Sequence, residues 1–114
     1  MEEIKKLQAV FQTLSDLNRL KIIKSISDKE CAVGEIVKST GLSQPLVSHH
    51  LKTLKTNGFL ETKRNGPFIY HYIKEPKILY AIDIFLEIFR DTEIKANENF
   101  RFCSERMFNK FKNI

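Results

Sequence analysis

Cysteine is scarce in this 114-residue chain, glycine and proline are few, and no long apolar run interrupts it. Each shortage excludes something. Two cysteines, Cys31 and Cys103, cannot build a disulfide framework, and a reducing compartment suits them. With four glycines and three prolines the composition is that of an ordinary globular protein, without low-complexity tracts, repeats or a long linker. No stretch approaches the roughly 18 uninterrupted apolar residues that a membrane span needs. The first residues, Met1-Glu2-Glu3-Ile4-Lys5-Lys6, are charged and helix-forming, unlike a signal peptide, so no membrane partner and a cytoplasmic location are expected. The length suits one domain, 1–114, with a single modest core.

Catalytic chemistry is missing as well. There is no glycine-rich phosphate loop, no nucleophile beside a base and no convergent acid pair. Asp83, Glu87 and Asp91 recur every four residues on one helix face, which makes a solvated acidic stripe and at most a weak divalent site. Neither an enzyme nor a bound cofactor is expected.

What the chain does have is positive charge in one place. Net charge is +5, and between Gln44 and Lys74 the cations Lys52, Lys55, Lys63, Arg64 and Lys74 meet a single acid, Glu61. The remainder is close to balanced. A cationic cluster of this kind is the footprint of a nucleic-acid binder, whereas a charge kept only for solubility would be spread out.

The cluster falls on a recognisable frame. In Gly41-Leu42-Ser43-Gln44-Pro45-Leu46-Val47-Ser48-His49-His50-Leu51-Lys52-Thr53-Leu54, Gly41 supplies the positive φ that ends one helix. Ser43 then caps the next, and Pro45 sits in its first turn, where a missing N–H costs nothing. Val47, Leu51 and Leu54 form an apolar stripe; Pro45, Ser48, His49, Lys52 and Lys55 occupy the opposite face, which carries no carboxylate. That is the second helix of a helix-turn-helix, built to lie in a major groove. The first is a short helix beginning at Val33, with Val33, Ile36 and Val37 inward, so the motif covers about 33–57. The competing reading is an amphipathic surface helix with solvated lysines.

What comes next favours the groove. Phe59-Leu60-Glu61-Thr62-Lys63-Arg64, then Asn65-Gly66, then Pro67-Phe68-Ile69-Tyr70-His71-Tyr72-Ile73 reads as a hairpin, with Asn-Gly as its turn. Lys63 and Arg64 enter its tip, making a wing over about 59–74 that would hold phosphates or a minor groove. Phe68, Tyr70 and Tyr72 alternate as one face of a sheet packing inward would. RNA binding, which usually brings exposed aromatics, is therefore disfavoured.

Elsewhere the pattern is helical. Residues 2–14 carry a narrow seam of Ile4, Leu7, Phe11 and Leu14. Ser15 is expected to cap a second helix from Asp16 to Asp28, with Leu20, Ile23 and Ile26 inward. The C-terminal region, 76–113, opens at Glu75-Pro76 with a long helix expected to reach Asn97, its broad apolar face holding Ile78, Ile82, Phe85 and Phe89. A second stripe of Phe100, Cys103, Met107 and Phe111 follows. Such apolar area on the first and late helices points to a homodimer. The fold class is α+β and mostly helical, a winged helix-turn-helix with terminal dimerisation helices.

Three stretches together resemble the ArsR/SmtB family. They are Leu14-Ser15-Asp16-Leu17-Asn18-Arg19-Leu20-Lys21-Ile22-Ile23, then Val33-Gly34-Glu35-Ile36, then Leu42 to Leu51 with Gly58-Phe59-Leu60. The likeness runs from about residue 14 to residue 73. It implies a winged-helix repressor that binds an inverted-repeat operator in double-stranded DNA as a homodimer and loses affinity on meeting an effector. The family's metal sites do not carry over. The arsenic-type Cys-Val-Cys falls on Ala32, Val33 and Gly34, with Cys31 one residue out of register, and the expected late helix over 76–97 holds no histidine for the zinc-type site.

On this reading Gln44, Ser48 and His49 face base edges and Pro45 can touch a thymine methyl, while Lys52, Lys55, Lys63 and Arg64 hold phosphates. His50 should turn toward the core and hydrogen-bond there. Adjacent on one helix, His49 and His50 cannot converge on a metal ion, and no metal site is expected. Cys31 and Cys103 are the candidates for a thiol effector site. Cys31 would be activated by Lys29 and a nearby helix N-terminus, and the alternative for either cysteine is a small buried core residue. The effector, whether small molecule, metal ion or redox signal, stays unassigned. A winged helix that has kept the fold as a protein-interaction module is the alternative function, and a neutral outer face on the second helix would have favoured it.

Overall fold

The computed structural model describes residues 1–95. Its elements are α1 (Glu2–Leu14), α2 (Leu17–Ile26), α3 (Val33–Thr40), α4 (Gln44–Thr56), β1 (Leu60–Asn65), β2 (Phe68–Ile73) and α5 (Lys77–Ile88). The architecture is α+β and mostly helical, a winged helix-turn-helix. The chain divides into two compact units, Met1–Pro76 and Lys77–Ile114.

In the first unit the core is drawn from α2, α3, α4 and the base of the hairpin. Ile22, Ile23 and Ile26 come from α2, Ile36 from α3, Val47 and Leu54 from α4, and Leu60 from β1, all fully buried. Each such side chain contributes roughly 1.5–3 kcal/mol of burial. Val33 and Val37, expected inward on α3, are only half-buried, which leaves Ile36 as that helix's anchor.

Caps set the boundaries. α2 starts one residue later than the sequence pattern suggests, because Asp16 and not Ser15 is its N-cap. The Asp16 carboxylate accepts from the Asn18 N–H at 2.9 Å and the Arg19 N–H at 3.0 Å, satisfying two otherwise orphaned donors. Ser15 closes α1 instead, its hydroxyl donating to the Gln12 carbonyl at 3.0 Å. α2 ends at Ile26, two residues short of Asp28, where Ser27 turns to φ 51°. Gly41 at φ 74° ends α3, and the Ser43 hydroxyl accepts from the Leu46 N–H at 3.4 Å to open α4, as their sequence positions imply.

The hairpin is antiparallel, with Leu60 opposite Ile73 and Asn65 opposite Phe68. Its two-residue turn is therefore Gly66-Pro67, one step beyond the expected Asn65-Gly66. An Asn-Gly turn would set Pro67 in the first pair of β2, where it has no N–H to give; at the turn that lack is harmless. Gly66, at φ 63°, takes the positive angle that a glycine-first turn requires. A third segment joins the wing: Cys31 and His71 exchange backbone hydrogen bonds of 2.9 and 2.7 Å as an isolated bridge.

The inward face of the wing is not the aromatic one. Leu60 and Ile73 are buried at its base and His71 is half-buried, so β1 and β2 turn Leu60, Thr62, His71 and Ile73 to the core. Phe68, Tyr70 and Tyr72 share the opposite face with Glu61 and Lys63. Phe68 is 58% exposed, and the Tyr72 hydroxyl donates to Glu61 Oε2 at 2.8 Å.

α5, described by itself, spans Lys77–Ile88 and has no buried residue. It is shorter than the helix expected to reach Asn97: past Ile88 the chain enters turns, with the Thr92 N–H bonded to the Phe89 carbonyl at 3.1 Å. The stripe of Phe100, Cys103, Met107 and Phe111 lies outside the described residues.

The double acceptance at Asp16 yields a stability test. Asp16→Ala should cost about 0.5–2 kcal/mol, and Asp16→Asn, which still caps, distinctly less. Urea unfolding followed by circular dichroism measures both; equal losses would mean that the carboxylate's charge, and not its cap, is what matters.

Candidate nucleic-acid interface

α4 offers one exposed face and one buried face. Leu46, Val47, His50, Leu51 and Leu54 are buried, while Gln44, Pro45, Ser48, His49, Lys52 and Lys55 are exposed. These six are the α4 residues expected on sequence grounds to face DNA, and the exposed face, which also carries Thr56, contains no acid. Gln44, Pro45 and Ser48 lie in the first turns, where the helix dipole is positive and anions are favoured.

The wing and the helix are tied together. Lys55 Nζ donates to Thr62 Oγ1 on β1 at 3.3 Å, which joins the last turn of α4 to the hairpin. Lys63 and Arg64 are both exposed, but their surroundings differ. Lys63 Nζ lies 3.6 Å from Glu30 Oε1, and Lys74 Nζ lies 3.8 Å from Glu61 Oε1. Among the described residues Lys52 and Arg64 enter no ion pair. Sequence reasoning missed the Glu30–Lys63 pair, since Glu30 sits before α3 and meets the wing beside the Cys31–His71 bridge, a long-range pairing. Exposed pairs of this kind contribute about 0–1 kcal/mol and separate readily for a phosphate.

His50 does turn inward, with 2% of its surface exposed. It lacks the expected hydrogen bond. Its Nε2 is 3.9 Å from Asp16 Oδ1, beyond hydrogen-bond reach, and its Nδ1 is buried without a partner, as is Nδ1 of His71. Burial pushes the His50 pKa down; Asp16 pulls it up, and Arg19 and His49 push it down further. Burial and then Lys55 push His71 down.

Cys31 is 4% exposed. Burial raises its pKa, the Glu35 carboxylate adds to the rise, and Lys29 only partly opposes them. The activating effect expected of Lys29 is outweighed, so burial and Glu35 together favour the protonated thiol. Cys103 lies outside the described residues. Among the described residues no group of three or more His, Cys, Asp or Glu side chains could hold a metal ion, and no helix is long and apolar enough to cross a membrane.

The two histidines give the fold a pH dependence with a definite sign. Above their ordinary value of 6.5 both are neutral in either state, and the stability they permit is fully present. As pH falls below 6.5 the unfolded chain binds protons first, so stability drops until the lowered folded values are passed. Urea midpoints between pH 7.5 and 5 should show this fall, and His50→Gln combined with His71→Gln should flatten it. An unchanged slope in the double variant would assign the effect to other groups.

Comparison with known proteins agrees with this geometry. Residues 16–62 match the family described as bacterial regulatory protein, arsR family. The cadmium resistance transcriptional regulatory protein CadC of Listeria innocua is 36% identical over 75 residues, 65% of this chain and 63% of that protein. The chain thus spans less than two thirds of the length of that relative. The biofilm growth-associated repressor of Xylella fastidiosa is 31% identical over 87 residues, covering 76% of both chains. In fold, the chain is similar to the homodimeric winged helix-turn-helix DNA-binding domain of Mb0332 from Mycobacterium bovis. The TM-score is 0.67 at 23% identity, over 82% of this chain and 86% of that one. With its capped α3–α4 pair and its wing, the chain belongs to the arsR family of bacterial regulatory proteins.

Proposed function

We propose that the protein is a cytoplasmic, homodimeric transcriptional regulator, a repressor that binds an inverted-repeat operator in double-stranded DNA. The observation that carries this reading is the acid-free exposed face of α4, with Gln44, Ser48 and His49 ahead of Lys52 and Lys55. Such a face reads base edges from the first turns and holds phosphates from the last. Arg64 on the wing and Lys52 on the helix are the phosphate contacts ready without breaking an ion pair. Lys55 and Lys63 join them once they leave Thr62 and Glu30. The names of two relatives, a repressor and a cadmium-resistance regulatory protein, support regulation as the role.

The fragments that purified protein pulls down from its own genome, once sequenced, define the operator. Log affinity for the operator should fall with log salt at a slope of about −0.9 per phosphate contact. Gln44→Ala should cost about 1–3 kcal/mol on the operator and little on an unrelated duplex. Arg64→Ala should weaken both and flatten the salt slope by about one unit. Equal affinity of the wild type for operator and unrelated duplex at every salt concentration would leave the interaction module as the better reading.

Dimerisation rests on the α1 seam, where Ile4 is 68% and Leu7 52% exposed along a largely apolar depression. The homodimer of the structurally similar Mycobacterium bovis domain supports it. Leu7→Glu sets a charge where a partner chain would exclude water. Sedimentation at micromolar concentration should find a wild-type dimer and a largely monomeric variant. A wild-type monomer would refute the dimer.

A further inference from the structure

The tip of the wing is apolar. Pro67, Phe68 and Ile69 follow one another there, with Phe68 58% and Ile69 47% exposed. The Phe68 ring lies 6.4 Å from that of Tyr70 on the same strand. The register sets Ile69 opposite Arg64 and Tyr70 opposite Lys63, so the two cations flank the apolar residues on the neighbouring strand. A hairpin that only held phosphates would need nothing apolar at its end, and the core, which stops at Leu60 and Ile73, gains nothing from these side chains.

From this we infer that Phe68 is an apolar wedge, pressed by Lys63 and Arg64 into the minor groove beside the operator half-site, where it unstacks a flexible base step and bends the duplex. The inference rests on the duplex-DNA reading above. Phosphates line both walls of a minor groove, which suits the flanking cations, and apolar side chains inserted between base steps kink DNA toward the major groove. Continuity points the same way: the Phe59 N–H donates to the Leu54 carbonyl at 2.9 Å, so the wing leaves directly from the helix that would lie in the adjoining groove. Pyrimidine–purine steps are the easiest to unstack, so the wedge adds sequence preference at a position that no side chain contacts through hydrogen bonds.

The experiment uses the full chain and the genomic fragment recovered above. End-labelled fragment reports bending by energy transfer, and 2-aminopurine scanned through the wing-proximal steps reports unstacking. The wild type should bend the fragment by at least about 20° and brighten the probe at one step. Phe68→Ser should abolish both signals and bind the fragment roughly fivefold or more weakly. Phe68→Leu, still apolar, should keep most of the bend. Arg64→Ala should lose affinity while its complex, at saturating protein, remains bent. Because Phe68 is exposed, all of these variants should fold, which circular dichroism checks. Absence of a bend with wild type, or a bend that survives Phe68→Ser, overturns the wedge while leaving operator binding intact. Tighter binding of the wild type to single-stranded RNA of the same sequence, lost in Phe68→Ser, also overturns it, since the ring would then be a stacking platform. Failure of the wild type to prefer the recovered fragment at all is a different result and removes the operator reading itself.

Discussion

Thr13 is the knot on which the placement of the recognition helix depends. Its hydroxyl donates to the Ala9 carbonyl at 2.8 Å and accepts from Asn57 Nδ2 at 3.1 Å, joining the end of α1 to the end of α4. Its carbonyl accepts from Arg19 Nε at 2.6 Å, and Arg19 also reaches the Gln12 carbonyl at 3.3 Å, so one guanidinium closes the C-terminus of α1. One residue pair further on, Asp16 caps α2 and lies beside buried His50 of α4. Polar groups held away from water cost about 1–3 kcal/mol each when unpaired. Tilting α4 would break the Thr13–Asn57 bond and pull buried His50 away from Asp16, so the exposed face of Gln44, Ser48 and His49 is oriented by contacts made elsewhere on the helix.

That dependence explains what could be read from the chain. Local chemistry was legible: Gly41, Ser43 and Pro45 each impose one backbone geometry, so the helix-turn-helix and the exposed face of α4 follow from a few residues. Long-range pairings were not. Nothing near Asn57 announces Thr13, and nothing near Lys63 announces Glu30. The turn lay between two local rules, Asn-Gly as a turn pair and proline as a poor ladder member, and the second prevailed because a missing N–H cannot be compensated. The aromatic face was misjudged because alternation shows which residues share a face but not which face meets the core. Leu60 and Ile73 decided that, and Tyr72 could stay outside because its hydroxyl finds Glu61.

Electrostatics refines the same face. Counted along the sequence, the cations from Lys52 to Lys74 are equal; in space they are not. Lys63 and Lys74 stand beside acids and Lys55 is bonded to the wing, while Arg64 and Lys52 enter no ion pair among the described residues. Free cations add to a phosphate contact directly. Paired ones add the difference between a phosphate and a carboxylate as partner, which is small for exposed groups in salt. Arg64, with its planar fork and its place near the hairpin tip, is the stronger of the two free ones.

The apolar surfaces follow a different logic from the charged ones. In Met1–Pro76 the core closes around α2, α3, α4 and the hairpin base, and α1 contributes little to it, with Thr13 its only buried residue. α5, read separately, has 12 residues and none buried. An isolated helix of that length is marginal in water, and the stability of most helices comes from covering an apolar face. Neither α1, with Ile4 and Leu7 in solvent, nor α5, with Tyr80, Ile84 and Ile88 in solvent, meets that condition by itself. A sequence that encodes two such faces, yet completes its reading head without them, has separated two tasks. One set of side chains orients α4, and another stays exposed, which is what the proposed dimer would use. On the proposed reading an inverted-repeat operator would need both, because a single head reads only one half-site, and the spacing between two heads would select the pair.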